Sequence, residues 1–215
     1  MTPRQIATFF RRLAAQDPAP QTELSYSSPY TLLVAVVLSA QATDVGVNKA
    51  TRALFEVAAD PRAMVALGEA GLREYIKSIG LYRNKARAII ALSGILLERH
   101  GGEVPGDRAA LESLPGVGRK TASVVLNAAF GKPTIAVDTH VFRVANRTGL
   151  APGRTPLEVE QKLEASVPRK YARYAHHWLI LHGRYVCKAR RPECPRCVVA
   201  DLCGYPDKTG STALA

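Results

Sequence analysis

The four cysteines of the chain lie close together, at Cys187, Cys194, Cys197 and Cys203. Their C-x6-C-x2-C-x5-C spacing, in a chain with no visible export signal, favours metal ligation over disulfides. Thiolates suit either structural zinc or an iron–sulfur cluster. Structural zinc usually shows two C-x2-C pairs, and this run has one. The spacing therefore favours a 4Fe-4S cluster, with zinc second and unbound cysteines third.

A second group of residues forms the segment 114–121, which reads LPGVGRKT. Gly116 and Gly118, with the proline before them, predict a tight turn between two helices. Glycines let the backbone approach a ligand closely, and N–H groups at a helix N-terminus favour an anion such as phosphate. The segment is therefore typical of a helix-hairpin-helix that binds the DNA backbone, and an ordinary helix–helix turn is the alternative.

Lys120 and Asp138 form a candidate catalytic pair. Lys120 falls in the first turn of the helix after the hairpin, where the helix dipole disfavours an ammonium and so favours a nucleophilic amine. Taken alone, Lys120 is explained as well by a phosphate contact, and Asp138 by a helix N-cap. We expect His140, two residues further on, to make a polar or phosphate contact rather than to act in catalysis.

Helices must position these residues, because helical signals run through almost the whole chain. Pro3 and Pro29 each follow a capping residue and open a helix, and the second of these helices is apolar on nearly every face, which predicts a central position. Only 134–137 alternates with a strand period, so the predicted fold class is all-α. Further helices are predicted over 44–58, 61–67, 72–79, 84–100, 108–114, 119–130, 139–148, 156–167 and 171–186.

The charge of the chain favours a polyanionic partner. Its 215 residues include 29 Lys and Arg against 18 Asp and Glu, a formal net charge of +11. Nucleic acid is the first candidate and an acidic membrane surface the second. The 47% hydrophobic content excludes a largely disordered chain. The longest apolar run, 32–38, is far shorter than the ~20 residues that span a bilayer, and the start does not resemble a signal peptide, so we expect a cytoplasmic protein and no membrane partner.

The composition changes beyond residues 131–133, which predicts a domain boundary there. Between residues 169 and 203, eight basic residues are opposed only by Glu193 and Asp201. A solvated basic face and a nucleic-acid surface explain this excess equally well.

Together, the hairpin, Lys120, the VDTH segment at 137–140 and the cysteine run resemble the endonuclease III family, the DNA glycosylases of base-excision repair. The resemblance extends from residue 27 to residue 203 and includes LSAQATD at 38–44. It implies two all-α domains with the active site in a cleft between them. One would be a six-helix barrel over 22–132 that contains the hairpin, and the other an iron–sulfur domain made of 1–21 and 133–215.

The resemblance also implies roles for the matching residues. Lys120 would attack C1′ of the damaged nucleotide and form a Schiff base, and Asp138 would assist lysine deprotonation and stabilise the cationic sugar before β-elimination cuts the strand. Gln41 would fill the gap left by the flipped nucleotide, and Leu81 would enter the opposite strand as a wedge. The four cysteines would bind the 4Fe-4S cluster. Further DNA contacts would come from Gly116, Val117, Gly118, Arg119, Thr121, His140 and Arg143.

Lys120 separates related branches of this family. Adenine-mismatch and thymine-mismatch glycosylases share the hairpin, the aspartate and the cysteine pattern but lack this lysine. The resemblance therefore implies an enzyme that releases oxidised pyrimidines from double-stranded DNA and cuts at abasic sites. We further expect a bacterial protein that acts as a monomer on DNA of the nucleoid.

Two other classes of function remain open at this point. A non-enzymatic DNA-binding module would use the hairpin and the basic face alone, but it would need no carboxylate beside its phosphate contacts. A redox sensor that reads DNA through its cluster would require a reversible change of cluster charge.

Overall fold

The computed structural model describes residues 1–210, and in that range it contains ten α-helices and no β-strand. The predicted all-α fold class is confirmed. A single 3-10 turn covers Cys194–Arg196. The helices are α1 (Pro3–Gln16), α2 (Pro29–Ser39), α3 (Asp44–Val57), α4 (Pro61–Ile76), α5 (Tyr82–His100), α6 (Arg108–Glu112), α7 (Arg119–Phe130), α8 (Thr139–Thr148), α9 (Pro156–Ser166) and α10 (Arg169–Tyr185).

Local capping explains where the first two helices begin. The N–H of Gln5 donates to the Thr2 hydroxyl, while the Gln5 side-chain oxygen accepts from the Thr2 N–H at 2.7 Å. Ser28 and Thr31 make the equivalent reciprocal pair at the start of α2. Each pair satisfies backbone donors that a helix start leaves unpaired, and proline at the first helical position lacks such a donor.

Helix α4 differs from the prediction of two separate helices. It runs from residue 61 to residue 76, but Gly68 inside it has φ 70° and ψ 170°. The predicted interruption is therefore present as one non-helical glycine rather than as a loop. Helices α5 and α10 each begin two residues earlier than predicted, at Tyr82 and Arg169.

The chain divides into two compact units, and the first of them is continuous over 22–131. Helix α2 forms the centre of its core, with every residue from Tyr30 to Leu38 buried, and it packs against α3, α5 and α7. The prediction of a central apolar helix is confirmed. The Tyr30 hydroxyl, buried within this core, hydrogen-bonds the Ser93 hydroxyl at 2.6 Å.

The second unit joins residues 1–21 to residues 132–215. Helix α1 packs on α10 through an aromatic group that includes Phe10, Tyr171 and Trp178. The indole N–H of Trp178 donates to the Asp17 carbonyl at 2.7 Å, and Arg12 forms an ion pair with Asp201. In both units, none of the helices among the described residues is long and apolar enough to cross a membrane.

Candidate functional site

The hairpin between α6 and α7 is held by two buried apolar residues. Leu114 and Val117 are buried, and the N–H of Val117 donates to the Leu114 carbonyl at 3.1 Å. Residues between these anchors are more exposed. The core thus fixes the turn while its backbone stays available at the surface.

The structure requires glycine at one of the two glycine positions of the hairpin and not at the other. Gly116 has φ +78°, and a Cβ atom there would lie 3.0 Å from the Ala88 methyl group, so both conformation and packing require glycine. Gly118 has φ −96°, and a Cβ atom there would meet no described atom within 4 Å. Neither conformation nor packing among the described residues therefore requires glycine at position 118.

The first turn of α7 carries the next predicted residues. Gly118 is the N-cap, so no side chain caps this helix start, and Arg119 and Lys120 are exposed. Thr121 is half-buried. An uncapped helix start with exposed cations is suited to bind phosphate oxygens through N–H groups and charge together.

Asp138 is the N-cap of α8. Its Oδ1 atom accepts hydrogen bonds from the N–H groups of His140 at 2.9 Å and Val141 at 2.8 Å. The structural explanation for this aspartate is thus confirmed. Both bonds end on the same oxygen, so capping engages only half of the carboxylate. Lys120 belongs to the unit 22–131 and Asp138 to the other unit.

Arg143 holds the second unit together from inside. Its guanidinium donates to the Gly183 carbonyl at 2.7 Å and to the Cys187 carbonyl at 2.9 Å, and it lies 3.2 Å from Nδ1 of His140. Helix α8 is thereby linked to α10 and to the first cysteine. The sequence predicted only a DNA contact for Arg143, because the two carbonyl partners, Gly183 and Cys187, lie at least 40 residues further along the chain.

Gln41 and Leu81 are both exposed and both have a left-handed backbone, with φ 59°. Leu81 leaves 57% of its surface accessible. An exposed leucine in a conformation that side chains disfavour is unusual and is a common feature of functional sites. The sequence singled out both residues but gave no sign of this backbone conformation.

All four cysteines line one cavity with an empty volume of about 360 Å³. Their thiols are free and half-buried. Within residues 1–210, no three His, Cys, Asp or Glu side chains converge closely enough to bind a single metal ion. Four thiols around one shared space form a donor set that fits an iron–sulfur cluster.

Hydrogen-bond donors surround these sulfurs. The N–H of Tyr205 donates to Cys203 Sγ at 3.5 Å, Nη1 of Arg147 to Cys187 Sγ at 3.9 Å, and Nε2 of His182 lies 3.6 Å from Cys197 Sγ. Burial raises the pKa of the Cys197 and Cys203 thiols and lowers the pKa of His182 to about 4. Such donors influence the potential and stability of a bound cluster.

The sequence does not identify Arg147 as a residue that contacts the cysteine loop. It donates to the carbonyls of Lys188 and Ala189, and its guanidinium lies 4.6 Å from the Tyr205 ring centre. The available signal was its position one helical turn after Arg143, which places both arginines on the same face of α8.

Comparison with known proteins assigns the chain to a class. Residues 34–169 match the family described as HhH-GPD superfamily base excision DNA repair protein, and residues 187–203 match the iron–sulfur binding domain of endonuclease III. The fold, the hairpin and the cysteine cavity are therefore those of a helix-hairpin-helix DNA repair enzyme that carries a 4Fe-4S cluster.

Within that class, the chain belongs to the endonuclease III family, whose members are DNA glycosylases and abasic-site lyases. It is 62% identical over 197 residues to endonuclease III of Escherichia coli (strain K12), which covers 92% of this chain and 93% of the relative. It is 60% identical over 198 residues to endonuclease III of Treponema pallidum (strain Nichols), with 92% and 94% covered. The family assignment decides against the non-enzymatic DNA-binding module.

Solved structures agree with this assignment. A trapped covalent intermediate between endonuclease III and DNA matches with a TM-score of 0.88 and 47% identity, covering 95% of this chain and 96% of the other. A thermostable thymine-DNA glycosylase matches with a TM-score of 0.84 and 26% identity, covering 94% and 96%.

Proposed function

We propose that this base-excision repair enzyme releases oxidised pyrimidines from double-stranded DNA, with Lys120 as nucleophile and Asp138 as its catalytic carboxylate. The observation that carries the proposal is the position of Lys120. It is an exposed amine in the first turn of an uncapped helix, directly after a hairpin suited to phosphate. A nucleotide whose backbone is bound there brings its sugar close to this amine.

The chemistry divides one difficult hydrolysis into easier steps. The Lys120 amine bonds to C1′ while the bond between C1′ and the base breaks, and the departing base takes up a proton. Asp138 accepts a proton from the lysine and stabilises positive charge on the sugar. Opening of the sugar ring then gives the Schiff base. Loss of a C2′ proton breaks the bond between C3′ and its phosphate oxygen, and water finally frees Lys120.

Binding is divided between contacts that position the DNA and contacts that hold the flipped nucleotide outside the helix. The first group comprises Gly116, Val117, Gly118, Arg119, Thr121, His140 and Arg143, and phosphate contacts of this kind carry no sequence information. Gln41 and Leu81 would occupy the space that the flipped nucleotide leaves. Flipping costs a few kcal/mol of stacking, and least for a damaged base, so side chains that fill the gap favour damaged targets.

We assign the cluster to Cys187, Cys194, Cys197 and Cys203. All four cysteines line the same cavity, and their thiols are free to bind iron. When bound, the cluster supplies four metal–thiolate bonds that order the loop. The loop also carries Arg190, Arg191 and Arg196, and its order would direct these cations towards the DNA backbone.

The remaining assignments follow from the family. We assign residues 22–132 to the six-helix barrel domain and residues 1–21 with 133–215 to the iron–sulfur domain. We also infer that the enzyme acts as a monomer on nucleoid DNA in the bacterial cytoplasm. Analytical sedimentation of the protein alone and with a short lesion duplex measures its molecular mass, which should correspond to one protein chain in both cases.

Reductive trapping tests the proposal. Borohydride reduces a Schiff base, so the unmodified protein should become covalently joined to duplexes that contain an oxidised pyrimidine or an abasic site. Lys120→Gln should lose trapping while it retains DNA binding, and Lys49→Gln, an exposed lysine of the same unit, should trap normally. A panel of single lesions, scored separately for base release and strand nicking, tests the substrate class.

Two results would contradict the assignment. Trapping that persists in Lys120→Gln would move the nucleophile elsewhere, although the N-terminal amine already donates to the Gly149 carbonyl at 3.0 Å. Base release without any trapping in the unmodified protein would show simple hydrolysis in place of the lysine mechanism.

A further inference from the structure

Three non-glycine residues among 1–210 have a left-handed backbone, and two of them are Gln41 and Leu81. The left-handed region is disfavoured for any residue with a Cβ atom, so the surrounding structure must maintain it. Because both residues are assigned to the gap in the duplex, the contacts that maintain their conformation bear on function.

The two residues sit on neighbouring turns. Gln41 lies two residues after the end of α2, in a turn closed by a 3.0 Å hydrogen bond from the Ala42 N–H to the Ser39 carbonyl. Leu81 directly precedes α5 and gives it no side-chain cap. A Cβ atom built on Gly80 would lie 3.9 Å from the Gln41 carbonyl oxygen. The turn of Gln41 and the turn of Leu81 are thus close neighbours.

The Lys85 side chain joins the first turn of α5, which follows Leu81, to the end of α2. Its ammonium donates to the carbonyls of Leu38 at 2.9 Å and Ala40 at 2.6 Å. Its backbone N–H makes the ordinary first helical bond of α5, to the Leu81 carbonyl at 3.0 Å. Only 7% of the residue is exposed, and burial lowers its pKa.

An ammonium in this position suits the end of α2. The last carbonyls of a helix lack partners within the helix and carry the negative end of its dipole. Burial of a charge is unfavourable unless the group is well hydrogen-bonded, and Lys85 meets that condition through the two α2-end carbonyls. The hydrogen bonds of the ammonium therefore fix the backbone of Ala40, the residue that precedes Gln41.

We propose that Lys85 is a positioning residue that holds Gln41 and Leu81 together in the conformation that enters the duplex. Its buried ammonium would act through the end of α2 rather than on the reacting atoms. By fixing both turns before DNA arrives, it removes the cost of ordering them at the moment when the nucleotide flips. This inference rests on the proposed roles of Gln41 and Leu81.

The test compares two substrates under single-turnover conditions. Lys85→Met removes the charge and the donors at nearly the same length. We expect it to slow reaction at an abasic site in paired duplex about tenfold, with less than about a twofold loss on a single-stranded abasic oligonucleotide that needs no flipping. A 2-aminopurine base next to the lesion should fluoresce less, since fewer complexes hold the flipped state. Lys85→Arg, which keeps a cation, should recover most of the loss.

Controls separate positioning from stability and from failure of the proposed function. Lys77→Met, an exposed lysine of the same unit, should match the unmodified protein on both substrates. In a protein that already carries Gln41→Ala and Leu81→Ala, Lys85→Met should cost little further on the duplex. If Lys85→Met fails to fold, Lys85→Gln provides the same comparison.

Equal losses on both substrates, or no loss on the duplex, would overturn the role of Lys85. An undiminished loss in the Gln41→Ala and Leu81→Ala protein would do the same. Failure of the proposed function would instead be visible in the unmodified protein, as absence of trapping.

Discussion

The carboxylate of Asp138 accepts two backbone hydrogen bonds at the start of α8, and it is also the group that we assign to proton transfer. These roles can be separated, because asparagine caps a helix as well as aspartate does. We expect Asp138→Asn to keep the free energy of unfolding within ~0.5 kcal/mol and to lower the single-turnover rate on the order of 10²-fold.

Asp138→Ala is the matched control for this prediction. It removes the cap as well as the charge, so it should cost about 1 kcal/mol of stability in addition to activity. Denaturant unfolding and base-release rates measure the two effects separately. An unchanged base-release rate in Asp138→Asn would indicate that capping alone explains this residue.

The two hairpin glycines also allow an effect on stability to be separated from an effect on DNA binding. Gly116→Ala places a methyl group 3.0 Å from Ala88 on a left-handed backbone, so we expect a loss of at least about 1 kcal/mol in stability. Gly118→Val should leave the fold intact, since nothing described lies within 4 Å of its Cβ position.

For DNA binding, in contrast to stability, we expect Gly118→Val to have the larger effect of the two substitutions. Gly118→Val adds a branched side chain where the backbone meets phosphate, so affinity should fall for damaged and undamaged duplex alike. Fluorescence anisotropy with both duplexes measures this. Loss of lesion binding with unchanged binding to undamaged duplex would mean that the hairpin reads the lesion.

Among the elements, we expect the cysteine loop to depend on its bound cluster. Within residues 187–203 only Pro192 and Val199 are buried, and arginines of α8 donate hydrogen bonds to the backbone of this loop. We expect brown protein with broad visible absorption. Cys197→Ser should bleach it, speed amide exchange in this loop and weaken DNA binding, while amides of α2 stay protected.

Asp207→Asn, an exposed change close to the same loop, should leave colour and exchange unchanged. Colourless protein with stoichiometric zinc would refute the iron assignment. Equal acceleration of exchange in α2 would show that the cluster supports both units rather than its own loop.

The helices were predictable where their signals are local. Capping pairs at Thr2 and Ser28 and the continuous apolar run of α2 need only neighbouring residues to be recognised. The sequence predicts where the helical pattern breaks, near Gly68, but it predicts a loop there. The structure has a single glycine with positive φ, which interrupts the helix without a loop.

The site was predictable by residue type but not by arrangement. Lys120, Asp138 and the four cysteines were identified from spacing, whereas the internal bonds of Arg143 and Lys85 join residues at least 40 positions apart. Charge pattern cannot distinguish a buried cation from a surface one. Gly116 and Gly118 were likewise equivalent in the sequence, and only packing separates them.

For the whole molecule, the net charge of +11 predicts strong salt dependence of DNA binding. Cations that contact phosphates release counterions, so six or more such contacts should lower affinity about 10³-fold between ~50 and ~200 mM salt. Anisotropy titrations on damaged and undamaged duplex measure both slopes. The slopes should be parallel, since the flipped base adds no phosphate contact, and a steeper slope for damaged DNA would contradict this.

The discontinuous unit also has a consequence for synthesis on the ribosome. Helix α1 is made first, yet its packing partner α10 belongs to the last third of the chain, and Arg12 pairs with Asp201. The unit 22–131 is complete in sequence long before then. We therefore expect the nascent chain to fold its middle first, with Phe9 and Phe10 of α1 uncovered until α10 has been made.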